Sequence, residues 1–242
     1  MSTRHGGVST GPWASLNLGG ACGDAPDAVH TNRQRFAQAL GAQPVWLRQV
    51  HGTHVLRLDA VSAPTSTQPS LPPADAAWTT APGIACAVLV ADCLPVLLTT
   101  RDGRAVAAAH AGWRGLAAGV LQATVAAMQQ GAGIRPGELL AWLGPCIGPT
   151  AFEVGADVLD AFGRPADILS DTWFVQRPRP DGSLRWLCDL PALAAQQLRH
   201  AGVPLEAITQ AGRCTVAESS DFFSFRRDGI TGRLAAAIWL RG

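Results

Sequence analysis

Three segments carry side chains that could do chemistry. His110 closes a run of small residues, 105–109, and precedes Ala111-Gly112-Trp113-Arg114-Gly115, a turn that opens a helix. Ligand sites in layered α/β proteins gather at the carboxyl ends of strands, where loops splay apart, so a histidine at this junction can face a cleft. A histidine that merely caps the turn fits the position as well. Cys93 sits in Ala91-Asp92-Cys93-Leu94-Pro95, where a carboxylate and a thiol interrupt an otherwise apolar run. Burying Asp92 unpaired would be costly, so it is expected to be paired or to line a polar cleft. Pro95 lacks a ladder donor and is expected to break the strand. His51 stands in Arg48-Gln49-Val50-His51-Gly52-Thr53-His54, beside a glycine that permits a tight turn. His54 is a rival at i+3, and residue types alone do not choose between them.

Two histidines and a cysteine from separate segments supply three ligands and leave a fourth position open. That is the arrangement of a catalytic zinc rather than of a closed structural one. The same side chains could instead form a thiolate–imidazole dyad. Cys86, in an unbroken apolar run, reads as a buried small hydrophobe. Gly112-x-x-Gly115 could offer amides to an anion, but it has neither the Walker lysine pattern nor the Rossmann fingerprint, and close packing explains it better. Arg226-Arg227-Asp228 could clamp phosphate bidentately or form structural ion pairs.

These side chains need a scaffold, and the 242-residue chain is long enough to bury a sizeable core as one domain. Hydrophobic residues make up 48% and charged residues 15%, and the net charge of +1 offers no basic field for nucleic acid. The longest apolar stretch, 84–98, is interrupted by Asp92 and Pro95 and is too short to cross a bilayer. The polar start has no signal-peptide core, so a cytoplasmic protein with no membrane partner is expected. The six cysteines show no CxxC, and free thiols are expected.

Apolar runs suggest one or two strands over 44–58, then strands at 84–90, 94–98, 104–109, 139–143 and 233–240. Helices are expected at 25–40, stopped by Gly41, and at 115–130. A third is N-capped by Asp189, with Pro191 in its first turn and Gly202 beyond its end. Residues 60–73 read as a surface loop and 177–182 as a turn. The fold class is α+β, with sheets sandwiched by helices.

Six motifs in order resemble the YfiH-like laccase-domain family. They begin with an opening motif in two parts, Thr3-Arg4-His5-Gly6-Gly7 and Ser15-Leu16-Asn17-Leu18-Gly19. Gln49-Val50-His51-Gly52, the Asp92-Cys93 segment and the His110 turn follow. Leu143-Gly144-Pro145-Cys146 and Phe223-Ser224-Phe225-Arg226-Arg227-Asp228 close the series. The resemblance covers nearly the whole chain and implies an α/β/β/α sandwich with mixed sheets. It implies that His51, Cys93 and His110 bind Zn2+, which selects His51 over His54. It further implies phosphorolysis of adenosine, inosine, guanosine and methylthioadenosine, with adenosine deamination as a second activity. Purine nucleosides and inorganic phosphate would then be the partners, and Arg4, Asn17, Gln49, Asp75, Arg114 and Arg226 the substrate-binding candidates. Family members carry a further segment ahead of the first motif, so the leading edge strand is expected to be missing or trimmed.

The family has also been labelled polyphenol oxidase and peptidoglycan editing factor. A copper oxidase needs many histidines, typically in His-x-His pairs, and this chain has six histidines and no such pair. A hydrolase that edits muramic-acid peptide precursors could use the same metal site and stands as the alternative.

Overall fold

The structure, a computed structural model, describes residues 1–59, 71–165 and 170–242. Two sheets lie face to face between helices. The thinner one has three strands in the order β1 (Gln43–Trp46), β4 (Ile84–Val90), β12 (Leu234–Trp239). The first pair is parallel and the second antiparallel. The larger sheet has six strands in the order β11 (Ile208–Gln210), β7 (Leu139–Leu143), β5 (Leu94–Thr100), β6 (Val106–Ala111), β3 (Ala76–Thr79), β2 (Val55–Leu58). Its β11–β7 and β2–β3 pairs are parallel and its central pairs antiparallel. The α/β/β/α sandwich with mixed sheets is therefore the architecture.

The layering explains why the central strands have no polar face. Cys86 and Val88 of β4 pack with Val45 and Ala236 against Ala77, Val106 and Ala108 of the larger sheet. Alternate residues on β6, Ala107, Ala109 and Ala111, face the other way, into the cluster with Leu116, Leu121, Met128 and Leu198. A strand covered on both sides has no position left for a solvated side chain. On the far side of the thin sheet, Phe36 of α1 (Pro26–Leu40) joins Leu18 and Ala235.

Helix ends follow their capping residues. Gly41 closes α1 with φ 66°, a left-handed conformation suited to glycine. Asp189 caps α5 (Leu190–His200) by accepting from the Ala192 amide at 2.9 Å. The helix expected over 115–130 is two helices, α2 (Trp113–Ala118) and α3 (Val120–Ala132), because Gly119 adopts φ 95° between them. Pro95 does not break β5. It is the second residue of the strand, opposite His110, and its carbonyl still accepts from the Gly144 amide at 2.9 Å.

Strands β1 and β2 fall in different sheets, so the 44–58 segment crosses from one layer to the other. Sequence patterning gave no sign of β3, whose four residues are too few to show a period. The expected loop over 60–73 lies largely outside the described residues. The 177–182 turn joins β9 (Phe174–Gln176) to β10 (Trp186–Cys188), which pair antiparallel beside β8 (Glu153–Val154). Two short helices, α4 (Ala156–Ala161) and α6 (Phe225–Asp228), complete the elements used below.

Candidate metal centre and its cavity

Asp75, the residue before β3, is fully buried. Its carboxylate accepts from the amides of Val50 at 3.1 Å, His51 at 2.9 Å and Gly52 at 2.7 Å, so the 50–52 turn wraps around it. The wrapping puts His51 at φ 60°, a left-handed conformation that costs a non-glycine residue about 1–3 kcal/mol. The Asp75 carboxylate also lies 2.8 Å from His110 Nδ1. Burial alone would raise the Asp75 pKa. The hydrogen bonds from His110 and from the Gly52 and Val50 amides outweigh it and hold the group below the ordinary carboxylate value. With Nδ1 donating to a carboxylate, His110 presents its Nε2 lone pair to whatever lies on its other side.

Cys93 and His51 lie on that side. The donor atoms of His51, Cys93 and His110 all fall within 4.8 Å of one another. Cys93 Sγ is 3.9 Å from His51 Nε2, and the two imidazole rings meet edge-on with centroids 4.8 Å apart. Burial pushes the Cys93 thiol up, but the charge and hydrogen bonding of His110 and His51 overcome it and bring its pKa down to about 6. His110 moves the opposite way, against its burial, through Cys93 and Asp75. His54 is exposed and lies outside the cluster. Gly112 makes room for the cluster: a Cβ there would lie 2.9 Å from both Cys93 Sγ and His51 Cδ2. Close packing therefore accounts for this glycine. The donor set, two imidazoles and a depressed-pKa thiol with one imidazole fixed by a buried carboxylate, suits a borderline-soft divalent cation.

The cluster lines a cavity of about 540 Å³. Leu47, Leu89 and Val90 form an apolar wall, and Phe225, 58% exposed, stands at its edge. Gln49 also lines the cavity, but its amide is spent on the backbone of Leu89, accepting at 2.7 Å and donating at 2.9 Å. Asn17 lies behind the wall, where it ties the Gly19 amide to the Arg233 amide. Asp75 lies behind the cluster and does not reach the cavity surface.

Three of the arginine candidates are elsewhere. Arg4 donates to the carbonyls of Ala14 and Ser219 and covers the Phe223 ring. Arg114 is exposed and stacks on Trp113. Arg226 donates through Nη1 to the Glu153 carbonyl, and its amide donates to Asp92 at 2.6 Å. Asp92 is paired as expected, with the Thr215 hydroxyl at 2.6 Å as its second partner, and it is not among the cavity-lining residues. Arg227 chelates its neighbour Asp228 and three backbone carbonyls, a structural role. The cations that do line the cavity are Arg33, Arg48 and Arg233. Arg33 was legible in principle: it falls four residues after Val29 and three before Phe36, next to the buried face of α1.

A two-sheet sandwich with an open His-Cys-His cluster at the floor of a cavity defines a candidate metalloenzyme. A family model described as "Multi-copper polyphenol oxidoreductase laccase" matches residues 1–241, and the chain belongs to that family, the YfiH-like laccase-domain proteins. It is 49% identical to "Purine nucleoside phosphorylase YfiH" of Escherichia coli (strain K12), over 99% of this chain and 92% of the relative. It is 46% identical to "Purine nucleoside phosphorylase PA4543" of Pseudomonas aeruginosa, over 100% of this chain and 92% of that protein. Among solved structures, the Neisseria meningitidis protein NMB0706 superposes with a TM-score of 0.86 at 48% identity, covering 99% of this chain and 92% of that one. YlmD from Geobacillus stearothermophilus gives 0.89 at 35% identity, covering 99% and 90%. All six cysteines are free, and no helix among the described residues is long and apolar enough to cross a membrane.

Proposed function

We propose that this protein is a zinc-dependent purine nucleoside phosphorylase acting on adenosine, inosine, guanosine and methylthioadenosine, with adenosine deamination as a second activity. The observation that carries the reading is the cluster of His51, Cys93 and His110 at the floor of a cavity that also holds three arginines. The names carried by relatives 46–49% identical across the chain support the substrate class. A multicopper centre would need further metal clusters, and the described residues contain this one, which supports a single zinc over a set of coppers.

His51, Cys93 and His110 would hold the ion. When bound, zinc supplies a Lewis acid with an open coordination position. The chain's own groups do the rest. Asp75 holds the Nδ1 proton of His110, so the ring keeps one tautomer throughout turnover. Leu47, Leu89 and Val90 exclude water from the ribose C1′, where phosphorolysis develops positive charge. The exposed face of Phe225 offers a surface on which a purine can stack.

Product analysis tests the reading. Inosine should yield free base and ribose 1-phosphate with phosphate present, and neither without it, because phosphate is the nucleophile. Deamination of adenosine uses water and should survive phosphate removal. Both reactions should fall together in His110→Ala. Base release indifferent to phosphate would mean hydrolysis, and no nucleoside turnover in zinc-loaded protein would move the reading to the editing hydrolase.

A further inference from the structure

The cavity is electrically one-sided away from the metal cluster. Arg33, Arg48 and Arg233 line it, and no carboxylate does among the described lining residues. Two of these arginines are built into the wall. Arg33 is anchored by Nε to the Leu18 carbonyl at 2.9 Å and lies over the Trp46 ring at 4.5 Å, and both Nη atoms remain without an acceptor among the described residues. Arg233 directs Nη1 to the carbonyls of Thr231 and Gly232, leaving Nη2 without an acceptor among the described residues.

Gly19 and Gly20 run between the two side chains. A Cβ on Gly19 would lie 2.5 Å from Arg233 Cγ, and one on Gly20 would lie 3.7 Å from Arg33 Nη2. Fully buried Asn17 fixes this arrangement, since its Oδ1 accepts from the amides of both Gly19 and Arg233. Burial lowers the Arg33 pKa, and Cys22 opposes it only in part, so the guanidinium is partly desolvated with no carboxylate among the described lining residues to compensate it. Partly buried cations without acids are an incomplete arrangement that a tetrahedral dianion completes. Paired guanidinium forks match its oxygens bidentately.

We infer that Arg33 and Arg233, flanking Gly19–Gly20, form a subsite for a phosphate group, with Arg48 at its rim. Arg48 is exposed and its guanidinium has no partner among the described residues. The assignment rests on the phosphorolysis reading for its catalytic meaning, though binding can be measured without turnover. It places the anion in the cavity that holds His51, Cys93 and His110, whereas Arg4 and Arg226 are occupied elsewhere. The phosphate can arrive as inorganic phosphate or as the ester group of ribose 1-phosphate. Both present the same dianion to the same two side chains.

The test titrates zinc-loaded protein separately with inorganic phosphate and with ribose 1-phosphate at constant ionic strength, by calorimetry. Arg33→Gln and Arg233→Gln should each weaken binding of at least one anion by about tenfold or more, the scale of a charge-assisted pair. In phosphorolysis they should raise KM for phosphate by a similar factor while leaving zinc content unchanged. Arg114→Gln should leave the affinity as it is. Loss for inorganic phosphate assigns the subsite to the nucleophile, and loss for the ester alone assigns it to the product. If a Gln variant does not fold, Arg33→Lys and Arg48→Gln provide the same comparison. Lysine keeps the charge without the fork, so binding should weaken less. Folded variants that bind both anions like the parent overturn the subsite, whatever the activity. An intact subsite in a protein that turns over no nucleoside would overturn the phosphorylase reading and leave the subsite standing.

Discussion

At the end of the cavity that holds the candidate metal cluster, the polar groups partner one another. Three amides and an imidazole N–H converge on the buried carboxylate of Asp75, and the thiol of Cys93 faces two imidazoles. At the arginine end the balance differs: positive side chains gather on a glycine segment, and no carboxylate answers them among the described lining residues. The first end is complete in its protein framework and needs only an ion. The second is complete only with an anion. Under the proposed function, a site that must hold one group permanently and exchange another every turnover would be served by that difference, because preorganisation favours retention and open donors favour exchange.

The largest effects should come from breaking the first end. Cys93→Ser, His51→Ala and His110→Ala should each lose most of one equivalent of zinc per chain, by elemental analysis of protein purified without added metal. Nucleoside turnover should fall by about 10³-fold or more, in keeping with loss of metal-ion catalysis. Cys86→Ser and His54→Ala are the matched controls and should retain the metal, since Cys86 is buried between the sheets and His54 is outside the cluster. If Cys86→Ser and Cys93→Ser keep zinc equally, the thiol has been wrongly chosen.

A smaller effect should follow from Asp75→Asn, which keeps the shape but exchanges the carboxylate for an amide. Zinc affinity should drop about 10–100-fold, the usual consequence of losing the partner of a ligating histidine. Competition with a chelator of known affinity reads this directly. An unchanged affinity would mean that Asp75 serves the 50–52 turn and not His110.

The thiol itself can be read by pH. In metal-free protein the Cys93 pKa is depressed to about 6, so its thiolate persists through neutral pH and declines only as pH falls through that value. Alkylation by iodoacetamide, followed by mass spectrometry, should show a midpoint near there for Cys93. Cys86, pushed up to about 12 by burial, should stay unmodified in the folded protein. Thiol counting after denaturation and metal removal should find all six cysteines. The smallest effect belongs to Arg114→Ala, an exposed position where stability should move by no more than about 0.5 kcal/mol in a denaturant titration.

The two ends were unequally legible in the sequence. The candidate ligands stand out because each interrupts a local pattern: a thiol and carboxylate in an apolar run, a histidine after a strand of alanines, a histidine beside a turn glycine. Residue types left His51 and His54 level, and only the family resemblance separated them. In the structure they differ by the direction of a turn wound around Asp75, a contact 25 residues away from Val50 that no local pattern carries. The arginine end was missed for the same reason. Arg33 and Arg233 lie at opposite ends of the chain and meet only because α1 packs over the three-stranded sheet that β12 completes, so each resembles an ordinary surface charge. The split of the 115–130 helix was a local misreading, since Gly119 was visible but helical periodicity runs across it.

The carboxylate of Asp75 and the thiolate of Cys93 also set the electrical character of the whole chamber. Their two negative charges balance a divalent ion, so the loaded centre is formally neutral when both histidines are uncharged. Among the described lining residues, the charges a molecule entering the chamber would then meet are those of the three arginines. Under the proposed function, loading an ion would turn a region of mixed sign into one of a single sign, and an anion approaching from solvent would meet attraction that the metal-free protein partly cancels.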